Sequence, residues 1–229
     1  MIPSTRDVPA LTTDQMREVD RIMVEEFGID LPRMMENAGR NLAWLARKRF
    51  TPVSVTVLAG PGGNGGGGLV ATRHLMNRGV GVSVTLSRDE LGDVPAAQAD
   101  MLRAMGVEFS EDPTEADLVI DALIGYSLSG DPRGRTGELI EWANHQAAPV
   151  LSLDVPSGLD TTTGIIGDPC IRATATMTLA LPKAGLDLAP TVVGELYLAD
   201  ISVPPSVYTV FGLGVADPFA EGSVVSITS

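Results

Sequence analysis

The sequence predicts an α/β protein, a doubly wound sheet whose central strands run parallel. Three features predict it. Apolar, often β-branched runs at residues 53–59, 81–87, 116–125 and 148–158 alternate with stretches of helical periodicity, the pattern of buried strands joined by crossover helices. A glycine-rich connection, residues 60–68, links the first of these strands to a helical stretch, and two later strands close in an acid, Asp121 and Asp154. Open parallel sheets bind ligands beyond the carboxyl ends of their strands, so the connection and both acids are expected to share one rim.

In chain order, residues 1–10 read as a loose arm. Residues 11–29 place Thr12 or Thr13 at an N-cap and Met16, Val19, Ile22 and Met23 at helical spacing, with Gly28 as the stop. A second helix covers residues 31–50, with Pro32 in its first turn and Met34, Met35, Ala38, Leu42 and Leu45 on one face. Methionine at that spacing is core or subunit contact, whereas Glu36 and Asn37 beside the face need polar partners. After the glycine connection comes a helix carrying Leu69, His74 and Leu75. The strand at 81–87 runs into Arg88, Asp89 and Glu90. In a nicotinamide dehydrogenase an acid at this point holds ribose hydroxyls; at the mouth of a loop it serves surface solvation equally well. A helix near 95–105, a short strand at 107–109, a turn-rich loop at 125–137 and a helix at 138–146 lead to the strand at 148–158. Two further strands are read at 172–181 and 194–203 around a loop at 182–190, and the tail from about Gly212 is weakly patterned.

A chain of 229 residues suits one large domain, 1–229, with a full core. No apolar run is long enough to cross a bilayer, and the N-terminus lacks a basic-then-apolar leader, so a soluble cytoplasmic protein is expected. Cys170 is the single cysteine, which rules out an intramolecular disulfide and reads as a small buried hydrophobe. A net charge of −13 argues against a nucleic-acid partner held through phosphates. Lys48 and Lys183 are the only lysines.

Glycine gives up more chain entropy on folding than any other residue. A run of it is kept where the backbone takes positive φ or where something must approach closely. Gly60, Gly62 and Gly65 match the dinucleotide-binding spacing between a strand and a helix, although so glycine-rich a segment matches almost automatically. A Walker A loop is excluded because no Gly-Lys-Ser/Thr follows. Backbone N–H groups opening a helix favour phosphate, so a ligand-contacting loop is expected, with a bare flexible connection as the alternative. Asp121 and Asp154 on one rim would either hold a cation or split their pKa values so that one donates a proton. Asn64 and Ser157 supply neutral oxygens suited to a hard or alkali cation. His74 and His145 lack metal-ligand spacing and read as structural or surface residues.

These residues carry a resemblance. MMENAGR at 34–40, GPGGNGGGG at 60–68, DALIGYSLSG at 121–130, LDVPSGLDTTTG at 153–164 and LPKAGL at 181–186 occur in the order found in the NAD(P)H-hydrate epimerase family, the YjeF N-terminal domain. The resemblance implies a Rossmann-like three-layer α/β/α sandwich with two N-terminal helices, usually a homodimer. It implies interconversion of the R and S forms of hydrated NADH or NADPH, with the partner dehydratase outside this chain. Matched position by position, Asn64, Asp121 and Ser157 correspond to ligands of a potassium ion. Gly63, Asn64, Gly65, Gly66 and Gly67 form one substrate segment, and Gly125, Tyr126, Ser127, Leu128, Ser129, Gly130 and Asp131 the other. Asp154 corresponds to the aspartate at the hydrated nicotinamide and is the catalytic acid/base, with Asp121 expected to raise its pKa. Asp154→Ala is accordingly expected to abolish activity with little effect on melting. The chain departs from the family pattern at Gly63 and Gly67, where Asn and Asp are usual. Two other readings follow: a non-catalytic domain that binds a nucleotide-derived ligand or a protein partner, and an ordinary nicotinamide dehydrogenase.

Overall fold

The computed structural model describes residues 2–5, 8–128 and 130–227. At its centre is a nine-stranded sheet of β1 (Ser4–Thr5), β2 (Ser54–Ala59), β3 (Gly81–Leu86), β4 (Glu108–Phe109), β5 (Leu118–Ala122), β6 (Val150–Leu153), β7 (Ala175–Leu179), β8 (Glu195–Ala199) and β9 (Val224–Ile227). Across the sheet the order is β1-β9-β8-β7-β6-β5-β2-β3-β4, parallel throughout except for β8 against β9. The chain leaves β2 for β3 on one side and returns to β5 on the other. That reversal of strand order is where an open α/β sheet leaves a crevice for a ligand.

Alternation along the strands makes the layers, because successive side chains point to opposite faces. Val55, Val57 and Ala59 of β2 join one core with Leu118, Ile120 and Leu151, while Leu58, Val119 and Val150 join another. The first face is covered by α2 (Leu31–Arg49), α3 (Gly63–Met76) and α4 (Asp93–Ala104); the second by α5 (Arg135–Asn144) through Leu139, Ile140 and Ala143. The result is the three-layer α/β/α arrangement. The N-terminal α1 (Thr13–Arg21) starts with Thr12, whose side chain and that of Gln15 cap each other's backbone. A π-helical turn at residues 22–26 ends it. With Met34 and Ala38 of α2, this helix builds a separate core over Ala180, Leu181 and Ile201.

The two chain ends differ from expectation. Instead of a loose arm, residues 4–5 pair in parallel with Ser226 and Ile227, and Val224–Ile227 pairs with β8. Strands this short carry almost no periodic signal, so only the pairing reveals them. Two short helices, α6 (Pro190–Val193) and α7 (Pro205–Tyr208), flank β8.

The glycine connection also differs. Helix α3 starts at Gly63, so most of the expected loop is helix, and none of Gly60–Gly68 takes positive φ. Each glycine in a helix interior costs about 1 kcal/mol relative to alanine, and close packing is what requires them. A Cβ on Gly65 would lie 1.8 Å from the Gly60 carbonyl oxygen, one on Gly66 2.3 Å from Met35 Sδ, and one on Gly68 2.6 Å from Ala122 Cβ. On α2, a Cβ at Gly39 would meet Val70 Cβ at 2.5 Å and the Gly67 carbonyl oxygen at 2.6 Å. The glycines let α3 lie against the sheet and α2 against α3. Within residues 60–68, only Gly62 and Gly63 face open space.

Candidate functional site

A cavity of about 520 Å³ opens at the reversal of strand order, over the carboxyl ends of β2, β5, β6 and β7. The turn at 61–64 with Gly67 forms one wall and residues 123–127 another, while Leu153, Asp154 and Lys183 line it from the sheet. Met16 and Asp20 of α1 and Met34, Met35 and Ala38 of α2 contribute the remaining side.

Asp154, the residue after β6, has φ +69°, a left-handed conformation unusual for a side chain other than glycine. Its N–H donates to Met177 O at 2.8 Å, which fixes the turn. Lys183 donates to Asp154 Oδ1 from a fully buried side chain, and also to Leu179 O at 2.8 Å and Thr178 Oγ1 at 3.3 Å. An ammonium has three hydrogens, so all are committed. The Leu179 N–H at 3.4 Å also converges on Oδ1, and Oδ2 carries no hydrogen bond among the described residues. The segment that carries Lys183 is tied to the start of α1: Leu11 N donates to Pro182 O at 2.8 Å and Ala184 N to Leu11 O at 2.9 Å. This tie brings α1 to the cavity.

Asp121 lies fully buried behind the wall. Ser152 Oγ (2.8 Å) and Ser157 N (2.9 Å) donate to its Oδ2, and Ser157 Oγ (2.6 Å) and Leu123 N (3.2 Å) to its Oδ1. Burial pushes its carboxyl upward, and the donors, Ser157 foremost, oppose that rise. The expected pairing of Asp121 with Asp154 is replaced by the ion pair Asp154–Lys183. Cys170 near Asp121 is pushed up to about 12 by burial and then by that carboxylate, which leaves it an unreactive thiol.

The donor set Asn64, Asp121 and Ser157 suits a cation by one structural test. The Asn64 Nδ2 atom is buried with no partner among the described residues, and a Cβ on Gly125 would lie 3.4 Å from the Asn64 amide. Turning that amide about its last bond puts an oxygen where the unpartnered nitrogen stands. The Ser157 hydroxyl can donate to Ile124 O at 3.2 Å instead of to Asp121, which frees a carboxylate lone pair. Three oxygens with one charge match an alkali ion better than a divalent one, and no group of three or more His, Cys, Asp or Glu among the described residues forms a metal cluster.

Of the residues expected to touch substrate, Gly63, Asn64, Gly67, Gly125, Tyr126, Ser127 and Asp154 line the cavity. Gly65 and Gly66 do not; they are pressed on Gly60 and Met35. Leu128, Gly130 and Asp131 also lie off it, and Asp131 accepts from Asp168 N at 3.2 Å. Ser129 lies outside the described residues. His74 and Arg73 bind Glu36, and His145 bonds Glu141 O, all structural contacts.

Two lining residues escaped the sequence reading. Lys183 is one of two lysines in a chain otherwise using arginine, and sits in an apolar stretch after a strand. That was an available signal. Asp20 is spaced four from Met16 and so falls on the apolar face of α1. Its carboxylate accepts from Tyr126 Oη. Burial raises the Asp20 pKa, while the Tyr126 hydrogen bond and the Lys183 charge oppose the rise. Tyr126 is raised in turn by burial and by Asp20.

Comparison with known proteins gives the family and the fold. The family model "YjeF-related protein N-terminus" matches residues 32–185. The NAD(P)H-hydrate epimerase of Dehalogenimonas lykanthroporepellens is 47% identical, over 97% of this chain and 94% of its own length. That of Truepera radiovictrix is 35% identical, over 93% and 97%. The bifunctional NAD(P)H-hydrate repair enzyme of Salinibacter ruber is 37% identical over 87% of this chain, which corresponds to 42% of that longer protein. The crystal structure of yeast ynu0 superposes with a TM-score of 0.85 at 23% identity, covering 96% of this chain and 100% of that one, a likeness of fold. The chain belongs to the YjeF N-terminal domain family, that of the NAD(P)H-hydrate epimerases.

Proposed function

We propose that this protein interconverts the R and S forms of hydrated NADH and NADPH. The observation that carries the reading is Asp154: a left-handed carboxylate at a cavity floor, with Oδ1 held by a buried lysine and Oδ2 free of hydrogen bonds among the described residues. The hydrate bears a hydroxyl on the carbon next to the ring nitrogen. Asp154 in its acid form protonates that hydroxyl, the C–O bond breaks, and water leaves. The ring is then a planar cation stabilised by nitrogen, close to the carboxylate just formed. Water returns to either face and gives its proton back to Asp154, which closes the cycle with no net change in the enzyme. Lys183 fixes the carboxylate, and the apolar side chains of Met34, Met35 and Ala38 limit competing water.

A potassium ion belongs to this proposal, held by Asn64 on the cavity's wall together with Asp121 and Ser157 behind it. It would supply fixed positive charge close to the phosphate-bearing part of the substrate. A homodimer is part of the same reading; exposed Phe27, Leu31 and Trp44 offer apolar surface near the N-terminal helices. So is a cytoplasmic setting; among the described residues no helix is long and apolar enough to cross a membrane.

A specific observation favours a second reading, a binding domain without turnover: Leu153 fills the space that a side chain at position 67 would need. One assay separates the two. Pure S-hydrate is mixed with the protein in potassium and in sodium buffers, and the epimer ratio is followed by chromatography. Acceleration over the spontaneous rate, larger in potassium, is expected. A rate equal to the spontaneous one in both buffers would leave only the binding reading.

A further inference from the structure

We infer that the adenosine end of the dinucleotide lies in a second cavity at the ends of β3 and β4, where Arg88 engages the 2′-phosphate, so that the hydrate of NADPH is preferred to that of NADH. The inference rests on the proposed substrate and adds a subsite to it. This cavity, about 670 Å³, is lined by Ser87, Arg88, Phe109, Glu111 and Arg135, among others. Arg88 lines both cavities, so the two adjoin at its side chain.

The sheet dictates the direction in which a dinucleotide would lie. Strands β4, β3 and β2 lie on one side of the reversal and β5, β6 and β7 on the other. With Asp154 at the end of β6 facing the nicotinamide, the diphosphate crosses the turn at Gly62 and Gly63, where the structure leaves open space. The other nucleoside then falls over β3. The loop after β3 is pinned there, since Gly92 N donates to Pro61 O at 3.0 Å.

Two observations at the second cavity point to a ligand. Ser87 is 4% exposed, and its buried Oγ has no hydrogen-bond partner among the described residues. A buried hydroxyl without a partner is costly, and a ribose hydroxyl or phosphate oxygen would supply one. Arg88 is exposed and has no hydrogen bond or ion pair among the described residues. Its neighbours are committed: Arg103 to Asp100 and the face of Phe109, and Arg135 to Asp112 and Glu138. Asp89 and Glu111 also line this cavity, and on a chain of net charge −13 a phosphate needs a local cation. Arg88 is placed to provide it, with a guanidinium fork suited to phosphate.

Calorimetric titration of the full chain with 2′,5′-ADP and with 5′-AMP tests this. The wild-type protein is expected to bind 2′,5′-ADP about tenfold more tightly, the size of one charge-assisted contact. Arg88→Ala should erase that difference and leave 5′-AMP within about twofold; Arg88→Lys should keep part of it. Ser87→Ala should weaken both ligands without lowering the melting temperature. In the epimerisation assay, Arg88→Ala should raise KM for the NADPH hydrate more than for the NADH hydrate at unchanged kcat. Equal affinity of the wild type for both ligands, or an equal loss on both in Arg88→Ala, overturns the subsite even if both hydrates epimerise. If neither hydrate epimerises but 2′,5′-ADP is discriminated through Arg88, the subsite holds and the epimerase reading falls.

Discussion

Lys183 and Asp154 form a buried ion pair in which every hydrogen of the ammonium is used and, among the described residues, only one carboxylate oxygen is. The lysine is therefore a positioning residue: it has no free hydrogen to give a substrate. Removing one member of a buried pair leaves the other charged in an apolar surround, at about 3–5 kcal/mol. Asp154→Ala is thus expected to lower the melting temperature markedly, against the sequence-based expectation of a near-normal melt, since alanine also fits φ +69° poorly. Asp154→Asn also strands the Lys183 charge but keeps an acceptor for it and tolerates the left-handed backbone, so it should lose turnover and melt later than Asp154→Ala. Lys183→Met should melt early and lose kcat with KM little changed, and Lys183→Arg should recover part of the kcat. Steady-state kinetics beside thermal melts distinguish these outcomes.

At position 67 the missing side chain cannot simply be put back. A Cβ there would sit 2.7 Å from Leu153 Cδ2, and Leu153 is itself buried in the main core. Gly67→Asp should cost about 1–3 kcal/mol, as overpacking does. Gly67→Asp with Leu153→Ala should recover more than the sum of the single effects allows, and a double-mutant cycle by denaturant unfolding reads that coupling. Gly63, with nothing near its Cβ position, should accept asparagine with almost no change in stability.

What the sequence made legible, and what it did not, follows from the range of each signal. Val55, Val57, Leu118, Ile120 and Leu151 announced buried parallel strands because burial on both faces demands continuous apolar runs. Asp121 and Asp154 stood out as polar ends to such runs. The glycines at 65–68 were visible, but their purpose was not: helix packing against Met35 and Ala122 is a tertiary fact, and local propensity argued for a loop. The partner of Asp154 was equally hidden, because nothing local joins residue 154 to residue 183 until β7 is threaded between them. Residues 4–5 and 224–227 gain their strand character only from each other and from β8.

Arg49 at the end of α2 grips Glu195 at the start of β8 through two hydrogen bonds of 2.8 and 2.6 Å, and Tyr197 adds a third at 2.6 Å. The Arg49 hydrogen bonds hold the Glu195 carboxyl down at about 2, with Tyr197 assisting and burial opposing. A lowered folded-state value means that the stabilisation is present above the 4.5 of an ordinary glutamate and is lost as the pH falls toward about 2. Because the carboxylate is nearly half exposed, solvent screening keeps the contribution to about 1 kcal/mol or less. Glu195→Gln should therefore lower the melting temperature slightly at pH 7 and converge with the wild type near pH 2. Melts across that range check it.

Asp20 gives the opposite sign. Its carboxyl is raised by burial, with the Tyr126 hydrogen bond and Lys183 opposing, so the folded state holds its proton more tightly than the unfolded one. Such a group favours folding most below the unfolded value of 3.8, and that contribution is lost as the pH rises through the folded value. At pH 7 the ionised form is a standing strain on the fold. Asp20→Asn keeps an acceptor for Tyr126 and removes the charge, so it should raise the melting temperature at pH 7, and the gain should vanish in acid as the wild-type carboxyl becomes neutral. A residue that weakens the fold while lining the cavity beside Asp154 is kept for what it does there. The same variant should consequently lose turnover as it gains stability. An Asp20→Asn protein that is both more stable and fully active would show that the carboxylate has no part in the chemistry.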